Sequence, residues 1–229
     1  MTSAPSSTML DLHDQAESEF RAFVAEPSFP CLAAKGVMRG NGFRLRRYGV
    51  LGSARSAALL SRDLAAFVGD VGDVGAGLHS FVAVFPRAVP ADELEFEQRL
   101  WQQVQRLHEH DLPGAGWDPT VSSDPDDPHF SFSFGGCALF VVGIHPASSR
   151  LARRFRWPAL VFNPHAQFER LRADGRFAPL RAAVRQREIA LQGTLNPNLA
   201  DFGEHSEARQ YSGRAVDAEW RCPFHRTTP

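Results

Sequence analysis

The sequence predicts an α+β domain built on a largely antiparallel sheet, and three observations predict it. Residues 130–134 alternate Phe with Ser, and residues 137–144 are almost wholly apolar. The Gly135-Gly136 pair between them is a hairpin signal. Stretches with apolar residues at helical spacing fall between such apolar runs, which places helices packed on a sheet rather than a regular βαβ alternation.

In chain order, residues 1–8 are small and polar and are expected to be disordered, leaving 9–229 as a single domain. A first helix carries Leu12, Ala16, Phe20, Phe23 and Val24 on one face and ends before Pro27. Residues 31–38 and 43–50 read as two strands around Arg39-Gly40-Asn41-Gly42. Arg44, Arg46 and Arg47 are read as a polar strand face. Ser53 is placed to cap a helix with Ala57, Leu60, Leu64 and Phe67 inside. The tract GDVGDVGAG, 69–77, reads as a loop too irregular for a phosphate-binding fingerprint.

Residues 80–85 form another apolar strand. Asp92, Glu93, Glu95 and Glu97 then open a helix running to about Glu109, as the helix dipole favours. Leu94, Leu100, Trp101, Val104 and Leu107 are its expected apolar face. The long loop 113–129, with Trp117-Asp118-Pro119, has the length of a functional loop. After the hairpin, 159–162 is a short strand stopped by Asn163-Pro164-His165, with a helix following through Phe168 and Leu171. A helix at about 177–191 is basic on its outer face through Arg181, Arg185 and Arg187. The last forty residues have little apolar periodicity, yet Phe202, Tyr211, Trp220 and Phe224 argue that they pack down. The expected architecture has its helices on one face of the sheet.

Composition excludes several classes. A net charge of -1 points to neither nucleic acid nor an acidic membrane surface. Cys31, Cys137 and Cys222 are widely spaced with no CxxC, so a disulfide framework or a zinc site is not expected, and a reducing cytoplasm is the default location. The N-terminal residues lack the basic and apolar regions of a signal peptide, and no apolar run approaches bilayer length. The pattern leaves monomer and homodimer open.

The chemistry concentrates after the central hairpin. His145 follows an apolar strand, and Ser148, Ser149, Arg150, Arg153 and Arg154 follow His145. A strand-end histidine can be satisfied by a backbone carbonyl, or it can ligate a metal or haem iron. The second reading gains from the arginines, because haem joins an apolar macrocycle to two carboxylates that guanidinium groups bind well. His165, at another strand end, has the same two readings, and the two could share a site if both strands end at one sheet edge. Asp201, Glu204 and Glu207 have the spacing of one helix face. They either decorate that face or bind a cation such as a guanidinium, with Arg209 and Arg214 as competing neutralisers. The cysteines read as small buried hydrophobes.

Several of these stretches together resemble the YqcI/YcgG family: FSFSFGG, FVVGIHPASSRLARRF, PALVFNPHAQFERLR, then LQGTLNP, LADFGE, SEARQYSGR and WRCPF. The upstream Phe29-Pro30-Cys31 and Trp117-Asp118-Pro119 fit as well, so the resemblance runs from about residue 20 to 225. Some members of that family are haem-dependent N-oxygenases that hydroxylate the guanidino nitrogen of arginine, or of a cyclic arginine-derived amino acid, in natural-product pathways. The resemblance therefore implies haem b, a small guanidine or amine substrate, dioxygen, and electrons from a separate ferredoxin or reductase. It makes His145 the first choice of iron ligand and His165 the second, with His205 at a variable motif position. It gives the haem propionates to Ser149, Arg150, Arg153 and Arg154. The substrate cation falls to Asp201, Glu204 or Glu207, and a substrate carboxylate to Arg209 or Arg214. A haem carrier or sensor without turnover, and a relative that binds another small anion without haem, are the rival expectations.

Overall fold

The computed structural model describes residues 7–40, 42–73 and 77–227, and the side chains of residues 7–11 and 72–73 are outside that description. Its elements are α1 (Ser7–Ala25), α2 (Leu32–Arg39), β1 (Phe43–Arg47), α3 (Ala54–Asp73), β2 (Ser80–Val84), α4 (Glu93–Glu109), β3 (Phe132–Phe134), β4 (Cys137–Ile144), β5 (Ala159–Pro164), α5 (His165–Ala173), α6 (Phe177–Gln192) and α7 (Ala208–Tyr211). The fold is α+β. Its described strands form one sheet in the order β1-β2-β5-β4-β3. The β1–β2 pair is parallel and the other pairs are antiparallel.

The helices cover both faces of the sheet rather than one. Alternation along β2 explains this, since successive side chains point to opposite faces. Phe81 and Ala83 join Leu60, Leu64 and Phe67 of α3 and Phe96 and Leu100 of α4 in the larger core. Val82 and Val84 join Ala16, Phe20 and Val24 of α1 in the smaller one. α4 lies so close to β4 that a Cβ on Gly143 would sit 2.6 Å from Phe96 Cε1 and 2.8 Å from Leu100 Cδ1. Glycine is the residue that lets helix and strand touch there. The hairpin turns at Gly135 and Gly136, with φ of 59° and 74°, the doubly left-handed backbone a tight two-residue turn demands.

Several expectations are corrected. Residues 31–38 are not a strand: Cys31 caps α2, its sulfur accepting the Ala34 N–H at 3.4 Å. The run Leu32-Ala33-Ala34-Lys35 is made of good helix formers, which outweighs its apolar look. Residues 69–73 of the Gly-rich tract continue α3, while 74–76 lie outside the described residues, as do 1–6 of the expected disordered segment. Ser7 and Thr8, also expected to be disordered, are the first residues of α1. Leu94 is 52% exposed, and Phe96 takes its place in the core. Ser131 and Ser133, the polar side of the expected half-buried strand, are fully buried. The loop 113–129 covers them: Ser133 Oγ accepts the Asp118 N–H at 3.0 Å, and Asp118 Oδ2 accepts the Ala138 N–H at 2.9 Å. The C-terminal segment does pack down. Tyr211 and Phe224 are buried, and the Tyr211 hydroxyl accepts the Phe132 N–H at 3.0 Å.

Candidate functional site

Antiparallel pairing separates the two candidate histidines. Ile144 pairs with Ala159 and Leu139 with Pro164, so the exit of β4 lies beside the entry of β5. His145 and His165 therefore leave the sheet at opposite ends, and a shared site is excluded.

His145 is 1% exposed and stacks on Phe96, with ring centroids 4.1 Å apart and planes 17° from parallel. Burial pushes its pKa down to about 4, so the ring is neutral at physiological pH. Both of its ring nitrogens are buried without a hydrogen-bond partner, while the polar side chains that follow it are already paired. Ser149 donates from backbone and hydroxyl to Glu93 Oε1, both at 2.8 Å. Arg150 pairs with Glu188 at 2.6 Å and binds Thr194. Arg153 donates to the carbonyls of Gly143 at 3.2 Å and Tyr211 at 3.0 Å. Arg154, exposed, donates to Ser148 O at 2.9 Å. This turn is knitted to α4, α6 and the C-terminal segment. His145 lines none of the cavities described below, while Arg150 and Arg153 reach the end of one of them.

The cavities lie on the other side, between the sheet and α1, α2, α5 and α6. One is about 290 Å³ and is walled mainly by apolar side chains, including Phe20, Phe23, Val82, Val142 and Ile144. A neighbour of about 200 Å³ carries His165, Arg172, Arg181, Arg185, Asp201 and Glu207 on its wall. Cys31, Ala33, Phe140, Phe168, Val184 and Leu199 belong to both walls, so the two spaces adjoin.

His165 opens α5 where β5 ends, and it is 2% exposed. Its Nε2 lies 3.5 Å from Glu207 Oε1, and its Nδ1 lies 3.9 Å from Glu169 Oε1. The Glu207 contact lacks hydrogen-bond alignment, and both His165 Nε2 and Glu207 Oε2 are buried without a hydrogen-bond partner. Buried polar atoms are rarely left so. Both lie on the wall of the cavity of about 200 Å³, where they can take a polar ligand.

The acidic trio does not share a helix face, because the chain turns at 202–205 and α7 starts only at Ala208. Asp201 is held by Arg181 and by Arg185, the latter at 3.2 Å, so these arginines turn inward instead of forming an outer basic face. Glu204 is exposed and accepts the Asp201 N–H at 2.8 Å. Of the trio, Asp201 and Glu207 line the cavity, and Glu207 is the one of those two not paired with an arginine. Arg209 lies over Trp220 at 5.5 Å and binds backbone carbonyls. Arg214 reaches the buried Glu97, its Nε donating to Oε2 at 2.6 Å. Neither arginine lines the two adjoining cavities.

Cys31, read from the sequence as a small buried hydrophobe, lies on the wall common to both cavities. It is half-buried, and desolvation raises its thiol pKa against the lowering effect of the α2 N–H groups. The signal was present in Phe29-Pro30-Cys31 followed by helix formers: a cysteine in capping position, directly behind proline.

Among the described residues no helix is long and apolar enough to cross a membrane. No solved structure matches the chain. A Bacillus subtilis (strain 168) protein described as "Uncharacterized protein YqcI" is 29% identical over 136 residues, 57% of this chain. The match spans 53% of that relative, about half its length. The model of the YqcI/YcgG family matches residues 20–225, and the chain belongs to that family.

Proposed function

We propose that this chain binds haem b in the adjoining cavities and N-hydroxylates a guanidino or related amine nitrogen. The observation that carries the reading is the pair of partnerless polar atoms, His165 Nε2 and Glu207 Oε2, on an apolar wall that also holds Cys31. The residues fit the group. Rings of Phe20, Phe23, Phe140 and Phe168 match a macrocycle, and Arg172, Arg181 and Arg185 line the space within reach of acid arms. Haem, when bound, supplies reductive activation of dioxygen, with electrons from a ferredoxin or reductase.

The chain's own residues do the rest. The apolar walls exclude water, which strengthens every charge contact inside. Glu207 Oε2 accepts N–H bonds from the substrate cation and orients the nitrogen that is to be hydroxylated. His165 Nε2, beside Glu207 Oε1, is placed to hold or pass a proton. Asp201 keeps Arg181 and Arg185 in position instead of binding substrate.

A haem carrier or sensor is the second reading. One observation favours it: Asp201, the acid richest in partners, is already neutralised, which leaves Glu207 as the one carboxylate free for a substrate cation among the trio. Expression with haem supply and a visible spectrum tests both readings. A Soret band with hydroxyguanidine formed from arginine, given reductant and oxygen, supports the oxygenase. A Soret band with no product from a panel of guanidines and amines supports the carrier. A folded, colourless protein that refuses hemin removes both.

A further inference from the structure

Resting on the haem reading above, we propose that Cys31, as a thiolate, is the side chain that ligates the iron. Position is the first argument. Cys31 belongs to the wall common to both cavities, so a planar group spanning them passes its sulfur. His145 touches neither.

The second argument is the sulfur's own setting. Cys31 caps an eight-residue helix, and its sulfur already accepts the Ala34 N–H at 3.4 Å. N–H groups at a helix start stabilise the negative charge of a thiolate, opposing the burial that on balance raises this thiol's pKa. Pro30 before it and the extended backbone at Cys31, φ -76° and ψ 102°, hold the side chain at the helix mouth. On coordination the thiol proton leaves to solvent and the S–Fe bond replaces the S–H bond, with no change of oxidation state.

The third argument concerns the rival on the same wall. His165 has a carboxylate oxygen 3.5 Å from Nε2 and another 3.9 Å from Nδ1, and the Phe202 ring lies 4.5 Å away. To ligate iron through Nε2 it would have to leave Glu207, whose Oε2 already lacks a hydrogen-bond partner. With Cys31 as ligand, His165 and Glu207 stay together to face the substrate. Among the described residues no three His, Cys, Asp or Glu side chains are grouped to hold a bare ion. A porphyrin brings its own nitrogen donors and needs a single protein ligand. A thiolate also donates electron density that favours O–O cleavage, which imidazole does less well.

The test is the ferrous–carbonyl spectrum of the full chain reconstituted with hemin. Expected is the strongly red-shifted Soret band of thiolate ligation in the wild type. That shift is lost in Cys31→Ser, moved to the imidazole position in Cys31→His, and kept in His165→Ala. Thermal melting of each variant confirms that it is folded, and the wild-type spectrum decides even if a variant is not. An imidazole-type band in the wild type, or an unchanged band in folded Cys31→Ser, overturns the ligand assignment while leaving the haem reading intact. Failure of the wild type to bind hemin overturns the haem reading and the assignment with it.

Discussion

Glu207 Oε1 lies 3.5 Å from His165 Nε2, both side chains being less than a tenth exposed, so the C-terminal segment packs against the first residue of α5. Glu207 thus has one oxygen on the histidine and one free. Glu207→Gln keeps the shape and removes the charge. A hydrogen bond to a charged group contributes about 1.5–3 kcal/mol, so arginine should bind the hemin-loaded variant roughly ten- to a hundredfold more weakly. The arginine-induced change in the Soret band measures it, and an unaltered arginine affinity removes Glu207 from the substrate site.

His145 should matter for acid stability and not for haem. Its pKa is about 4 when folded against an ordinary 6.5. Above the ordinary value neither state carries the proton and stability is full. As pH falls through the window between the two values, the unfolded chain takes up a proton that the folded chain refuses, so stability drops, and below about 4 the loss levels off. His145→Leu should flatten that part of the urea-midpoint-against-pH curve and retain the full Soret band. A Soret band lost in this variant would restore His145 as ligand.

Arg214 is a structural partner of Glu97, which is 4% exposed. Arg214→Met leaves a buried carboxylate with the Ser212 hydroxyl and no cation, a loss of about 3–5 kcal/mol by denaturant titration. Glu97→Gln combined with Arg214→Met should recover much of it. If Arg214→Met instead unfolds at the wild-type midpoint but binds arginine poorly, the residue belongs to the substrate site.

Gly143→Ala places a methyl group within 2.6 Å of Phe96 Cε1. Overpacking of this kind costs about 1–3 kcal/mol, and Gly143→Val should cost more. A Gly143→Ala midpoint equal to wild type would mean that α4 can shift outward freely.

Residue patterns carried the fold further than the site. The hairpin at Gly135-Gly136, the acidic start of α4 and the Ser53 cap are local, and their chemistry is readable where they stand. Ser53 Oγ indeed accepts the Ser56 N–H at 3.2 Å. The short run at Cys31 was ambiguous because eight apolar-rich residues suit either a buried strand or one face of a helix. Ser131 and Ser133 looked solvent-facing because the loop that covers them is not periodic. The two histidines looked alike because each follows a strand, and only the direction of pairing separates them. Arg214 and Glu97 stand more than a hundred residues apart, so their pairing lay outside any local pattern.

Glu207, Tyr211 and Phe224 are all made after the strands they cover. A nascent chain that has emerged only through β5 has its phenylalanine-rich hairpin bare and one wall of the pocket unbuilt. On the haem proposal, cofactor capture waits for late translation, and chaperone dependence should centre on that interval.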